Sequence, residues 1–150
     1  MYTDPRVINL IKQHFHPVRI HVREDADAWK KVGTELGVQW TPTILILSPE
    51  GKEQHRIEGF LPAEDFLAQL TIALAKMAFS RSDFKEAERY YREILDKYPN
   101  TESAAEAMYW AGVSRYKDTN DPSALKETAR AFSKRYQDTS WGKKASVWAA

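Results

Sequence analysis

The sequence predicts an α/β unit of about three strands followed by an all-α unit of helical hairpins, and three observations carry this. Apolar residues alternate at every second position over residues 17–23 and run without interruption over 44–47, whereas from Pro62 onward they keep helical spacing. Turn-forming residues gather at Ser48-Pro49-Glu50-Gly51, between the apolar run and a polar stretch. Finally, positions 38 residues apart recur: Tyr98 and Tyr136, Asn100 and Asp138, Thr101 and Thr139, Ala107 and Ala145, Trp110 and Trp148. A recurrence of that length marks stacked supersecondary units.

The elements follow in order. Asp4-Pro5 is a helix start, an N-cap acceptor before a residue that needs no N–H, and Val7, Ile8, Leu10, Ile11 and Phe15 then fall at helical spacing to about His14. Over residues 17–23, Val18, Ile20 and Val22 face one way and Arg19, His21 and Arg23 the other, which predicts a strand. Glu24, Asp25 and Asp27 place negative charge at the start of a second helix carrying Trp29, Val32 and Leu36, closed by Gly37 at C′. The run 44–47 asks for burial on both faces. The polar stretch 53–58 suits a sheet edge, and the turn between them makes the two an antiparallel hairpin.

From Pro62 to about Phe79 an unbroken helix carries Phe66, Leu67, Leu70, Leu74, Met77 and Ala78. With no flexible linker in view, the two halves are expected to share it: domain 1–80, and helical repeats over 62–150 that include the same helix 62–80. Asp83 with Glu86 three residues on opens the next helix, which continues through Ala87, Tyr91, Ile94 and Pro99. Asp121-Pro122 starts another. The segment 142–150 has the character of the first helix of a further repeat.

Composition narrows the function. With 150 residues and 43% hydrophobic content, the chain can bury one ordinary core or two small units. Its 22 basic and 21 acidic residues nearly cancel, so there is no long-range field to gather nucleic acid or anionic lipid, and neither is expected as a partner. No run approaches a membrane span and the first residues lack a secretion pattern, so the expected location is cytoplasmic if Met1 is the true start. The sequence contains no cysteine. Disulfides, thiolate metal sites and thiol nucleophiles are excluded together. His14, His16 and His21 have no tetrahedral ligand spacing, and the cluster Glu24, Asp25, Asp27 lacks a glycine-turned oxygen loop, so no metal or other cofactor is expected.

Residues 36–60 resemble the second half of thioredoxin, on a helix end at Leu36-Gly37-Val38, a Thr41-Pro42-Thr43 before an apolar strand, the Pro49-Glu50-Gly51-Lys52 turn, a final strand and Gly59. The resemblance implies that Pro42 is the cis-proline of that family, with Thr41 before it and Trp40 as an apolar wall beside a polypeptide-binding backbone. Against it stands the reading that Pro42 merely starts a strand. The family's preceding strand and its Cys-x-x-Cys segment are missing. Their absence would leave the strands at 17–23 and 44–47 with facing edges unpaired. Direct pairing of the two is the expected resolution, with self-association through exposed sheet edges as the alternative. The C-terminal part resembles tetratricopeptide repeats, with Leu74-Ala75, Ala87, Tyr91, Ile94 and Pro99 at the family's spacing and Met108, Ala111, Gly112 and Tyr116 opening the next copy.

These resemblances imply a redox-inactive platform that binds or scaffolds another protein or peptide through its repeats. Trp40, Thr41 and Pro42 in the first part, and Tyr90 and Tyr109 in the second, are the candidate binding residues, while aromatics at repeat spacing such as Tyr91 are expected to be core. There is no catalytic residue in this reading. Two alternatives stand beside it. The chain would be the C-terminal portion of a thiol-disulfide oxidoreductase whose Cys-x-x-Cys lies upstream, with Met1 internal to a longer protein, or it would be a purely structural oligomerisation module.

Overall fold

A computed structural model describes residues 2–150 and divides into two compact units, one running to Ala63 and one from Glu64 to Ala150. In the first unit, α1 (Pro5–His14) is started by Asp4, whose carboxylate accepts the Arg6 N–H at 2.9 Å. Helix α2 (Ala26–Glu35) ends in a Schellman turn. Gly37 takes φ +61°, and the Val38 N–H donates to the Gly33 carbonyl at 2.8 Å. A left-handed residue at C′ is what a glycine supplies without a Cβ penalty.

Strands β1 (Thr43–Leu47) and β2 (Glu53–Glu58) pair antiparallel, with Ile44 opposite Ile57, Leu45 opposite Arg56 and Ile46 opposite His55. The register slips between Ile46 and Leu47, where Leu47 faces Glu53. Gly51, at φ +83°, closes the turn by donating to the Ser48 carbonyl. Ile46 and Ile57 are buried, as is Val7 of α1.

The strand expected over residues 17–23 does not form, and among the described residues the sheet has two strands rather than about three. The expected pairing of that segment with 44–47 is therefore absent as well. Local hydrogen bonds have taken its backbone instead. The Asp25 carboxylate accepts the His21 N–H at 2.7 Å, His21 Nδ1 faces the N–H groups of Arg23 and Glu24, and the Asp25 N–H donates to the His21 carbonyl at 2.8 Å. Asp25 thus binds back toward the preceding turn and makes no side-chain cap for α2.

The second unit is built of helical hairpins: α3 (Ala63–Ser80) with α4 (Phe84–Lys97), then α5 (Ser103–Thr119) with α6 (Ser123–Lys134). A short α7 (Ser140–Ala145) passes into a 3₁₀ turn at Ser146–Ala149, so the last repeat helix is tighter than its periodicity predicts. Helix α3 is apolar nearly all round, with Phe66, Leu67, Leu70, Ile72 and Leu74 buried, as suits a central helix. Helix α4 is amphipathic and buries Ala87, Tyr91, Ile94 and Leu95. Each such large apolar side chain contributes about 1.5–3 kcal/mol by leaving water.

The recurrence at 38 residues is structural. At each hairpin-to-hairpin junction the threonine hydroxyl donates to the carbonyl of the tyrosine three residues before it, Thr101 to Tyr98 at 2.8 Å and Thr139 to Tyr136 at 2.6 Å. The Tyr136 hydroxyl also donates to the Pro99 carbonyl, joining one junction to the other. Close helix approach depends on Gly112, where an added Cβ would lie 2.0 Å from Thr128 Oγ1.

Candidate binding surfaces

In the first unit the segment 38–42 hangs between two fixed ends. At one end, Arg56 on β2 donates to the carbonyls of Leu36 and Gly37 at the close of α2, while Glu53 holds the same guanidinium at 2.6 Å. These carbonyls carry the negative end of the helix dipole, so a guanidinium is the fitting partner. The Glu53 carboxyl is held below its usual range, chiefly by hydrogen bonding to Arg56. At the other end, Thr43 Oγ1 donates to the Trp40 carbonyl at 2.6 Å and the Gly59 N–H donates to the Pro42 carbonyl at 2.8 Å.

Between these anchors the Thr41-Pro42 peptide is cis, as the resemblance implied for Pro42. Trp40 is 67% exposed and Thr41 is exposed too. Phe60, directly after the Gly59 that pairs with Pro42, is 75% exposed at the same end of the hairpin. Sequence reasoning passed over Phe60. Its signal was an apolar ring placed just after a glycine that ends a strand.

The second unit presents a ring cluster drawn from α3, the start of α4, α5 and the last helical segment. Tyr109 stacks on Trp148, centroids 4.7 Å apart and 27° between planes, and lies 5.2 Å from Trp141 and 5.6 Å from Trp110. Trp110 meets Phe79 edge-on at 5.5 Å, and Phe79 meets Phe84 at 5.0 Å. All six rings keep partial exposure. Lys144 Nζ lies 4.2 Å from the Trp141 ring centre, and Glu106, one turn before Tyr109 and Trp110, approaches Lys76 at 4.0 Å. Burial pushes the Glu106 carboxyl up, against the pull of Lys76 and Lys144.

Of the sequence candidates, Tyr109 lies at the centre of this cluster; Trp110 and Trp148, expected to be core from their repeat spacing, join it half-buried. Trp141, Phe79 and Phe84, which were not singled out, complete it. Tyr90 sits elsewhere, on α4 with the Arg89 guanidinium 4.4 Å above its ring and Glu86 bonded to Arg89 at 2.5 Å. Tyr91 is 2% exposed and belongs to the core. Among the described residues no group of three or more His, Asp or Glu is placed to hold a metal ion, and no helix is long and apolar enough to cross a membrane.

The family model of a thioredoxin-like domain matches residues 1–73, and that of a tetratricopeptide repeat matches residues 67–101, which take in most of α3 and all of α4. The chain carries both. No curated protein and no solved structure was found to match it. Tetratricopeptide repeats are in general protein-binding elements, and this pairing of domains points to protein binding or scaffolding.

Proposed function

We propose that this chain, in which a thioredoxin-like domain leads into tetratricopeptide repeats, is a redox-inactive binding module that holds a protein or peptide on the aromatic face of its second unit. The observation that carries the proposal is the partly exposed ring cluster around Tyr109, assembled from α3, the start of α4, α5 and the last helical segment. Aromatic side chains combine large contact area with little entropy to lose, which makes them the commonest binding anchors. Redox inactivity is argued from chemistry. Dithiol exchange needs a thiolate and a second resolving thiol, and the sequence contains no cysteine.

In this reading Trp40, Thr41 and Pro42 are a second contact surface, formed by an exposed ring and a backbone held in fixed shape, and Tyr90 is a peripheral contact on α4. The test is affinity capture from source-cell extract on the full-length chain, with Trp148→Ala as the paired variant and circular dichroism as the folding control. A protein retained by the parent and lost by the folded variant supports the proposal. Equal retention by both overturns the assignment of the aromatic face.

A further inference from the structure

The hairpins of the second unit leave a cleft of about 360 Å³ lined by α4, α5 and α6. Small-ligand sites span roughly 300–1,000 Å³, so this one is at the lower end. Among the described residues, those that line it all belong to the second unit, and none is one of the six rings. Short side chains make the space: Gly112 lies against Thr128, and Ala131 leaves room beside the buried Leu95 and Met108, which give an apolar floor. Around that floor stand the guanidiniums of Arg92, Arg115 and Arg135, from α4, α5 and the end of α6, and the carboxylates of Asp96 and Glu127. Few of the guanidinium N–H groups are used. Arg92 gives its Nε–H to Glu88 at 2.7 Å, and Arg115 gives one N–H to Glu127 at 3.3 Å. Arg135 lies 5.1 Å from the Tyr136 ring centre and makes no ion pair among the described residues. Glu88 and Asp121, which draw on Arg92 and Arg115, do not line the cleft. A guanidinium offers five donors in a fixed fork that matches an oxyanion. The cleft thus holds charge-assisted donors in excess, and its lining side chains carry one more positive charge than negative.

We propose that this cleft binds a small amphiphilic monocarboxylate, an apolar body carrying one carboxylate, at a site separate from the aromatic face. The apolar body lies on Leu95, Met108 and Ala131, and the carboxylate takes the unused N–H groups of Arg92 and Arg115, from two helices. Asp96 and Glu127 set the charge that the site accepts. One negative charge balances the lining, whereas a phosphomonoester, carrying about −1.5 to −2, brings charge in surplus close to both carboxylates. Because the five charged side chains are exposed, the electrostatic part of the binding weakens as salt rises.

The test is titration of the isotope-labelled full chain with 3-phenylpropionate and with octanoate, followed by amide chemical shifts. The neutral 3-phenylpropionamide and inorganic phosphate are run in parallel, with circular dichroism as the folding control for each variant. Saturable binding of a carboxylate is expected with Kd at or below about 1 mM, in titrations carried to about 10 mM. The shifts should gather on the cleft-lining stretches of α4, α5 and α6. The amide should bind at least about tenfold more weakly, and Arg115→Gln should cost the acid about as much. Glu127→Gln, which frees the same guanidinium, should tighten binding. Ala131→Leu should block it by filling the floor without changing any charge. Failure of both acids to saturate overturns the proposal, as does equal binding of acid and amide, or phosphate binding more tightly than either acid. Binding that survives both Arg115→Gln and Ala131→Leu overturns the location. An acetylated, amidated peptide with a glutamate beside a leucine presents the same chemistry from a polypeptide, and if it binds more tightly than the free acids the assignment to a small molecule falls.

Discussion

Ser114 is fully buried in α5 and its hydroxyl has no hydrogen-bond partner among the described residues, so folding strips it of water without return. Ser114→Ala should therefore raise stability by about 1 kcal/mol, the desolvation cost of one unpaired hydroxyl. Urea unfolding checks this, and a fall in the midpoint would show that the hydroxyl is satisfied in solution. Gly112 poses the opposite case. Alanine gains up to about 1 kcal/mol in helix propensity over glycine. That gain is outweighed by a Cβ 2.0 Å from Thr128 Oγ1 and 2.8 Å from its Cβ and Cγ2. Gly112→Ala should cost about 1–3 kcal/mol through overpacking. Thr128→Ala in the same chain should recover part of the loss, since it removes two of the three crowding atoms. Additive losses in the double variant would count against a direct clash.

Local punctuation was the legible part of each element. Asp4-Pro5 at the start of α1, Gly37 at the end of α2, the Gly51 turn and Asp83 before α4 each act through a neighbour within five residues, and each was placed correctly. Residues 17–23 were not. Alternation says what a segment could do in a sheet, but a strand exists only if another backbone lies beside it, and here the His21–Asp25 bonds compete successfully. Arg56 was equally illegible, because its partners Leu36 and Gly37 are about 20 positions away. Its loss should be felt at the candidate loop: Arg56→Lys, which keeps the charge but not the fork, should speed hydrogen exchange over residues 38–43. Unchanged exchange would mean that the carbonyls at the end of α2 do not need it. Glu106 gives α5 a pH signature. Since its folded carboxyl binds a proton more tightly than the unfolded one, its contribution to stability falls as pH rises from the ordinary glutamate range through the raised value, and is level above it. Asp4, Glu53, Glu86 and Asp121, held low by their partners, give the opposite slope at lower pH. The parent-minus-Glu106→Gln difference isolates the first effect, and a pH-independent difference would refute it.

On the scale of the whole molecule, the helical spacing from Pro62 onward was readable because it is repeated over many residues, and the 38-residue recurrence because it preserves a Tyr and a Thr at each junction. The ring cluster was readable only in part. Tyr109 was a candidate and Trp110 and Trp148 were expected to be core, and assembling these three with Phe79, Phe84 and Trp141 required the crossing of separate helical segments. Trp40 was readable through its motif and Phe60 was not. Two aromatic surfaces thus exist, one in each unit, and their roles separate by substitution. Trp40 is 67% exposed, so Trp40→Ala removes contact area at little cost to the fold. If the repeats carry the binding, Trp148→Ala should weaken a captured partner by at least about 30-fold, the effect of losing an anchor worth about 2 kcal/mol, and Trp40→Ala should change it by less than about threefold. Titration calorimetry with the purified partner decides. Reversed sensitivities would move the binding site to the thioredoxin-like unit. Comparable losses at both would mean that one partner spans the two surfaces, as a scaffold of linked contacts requires.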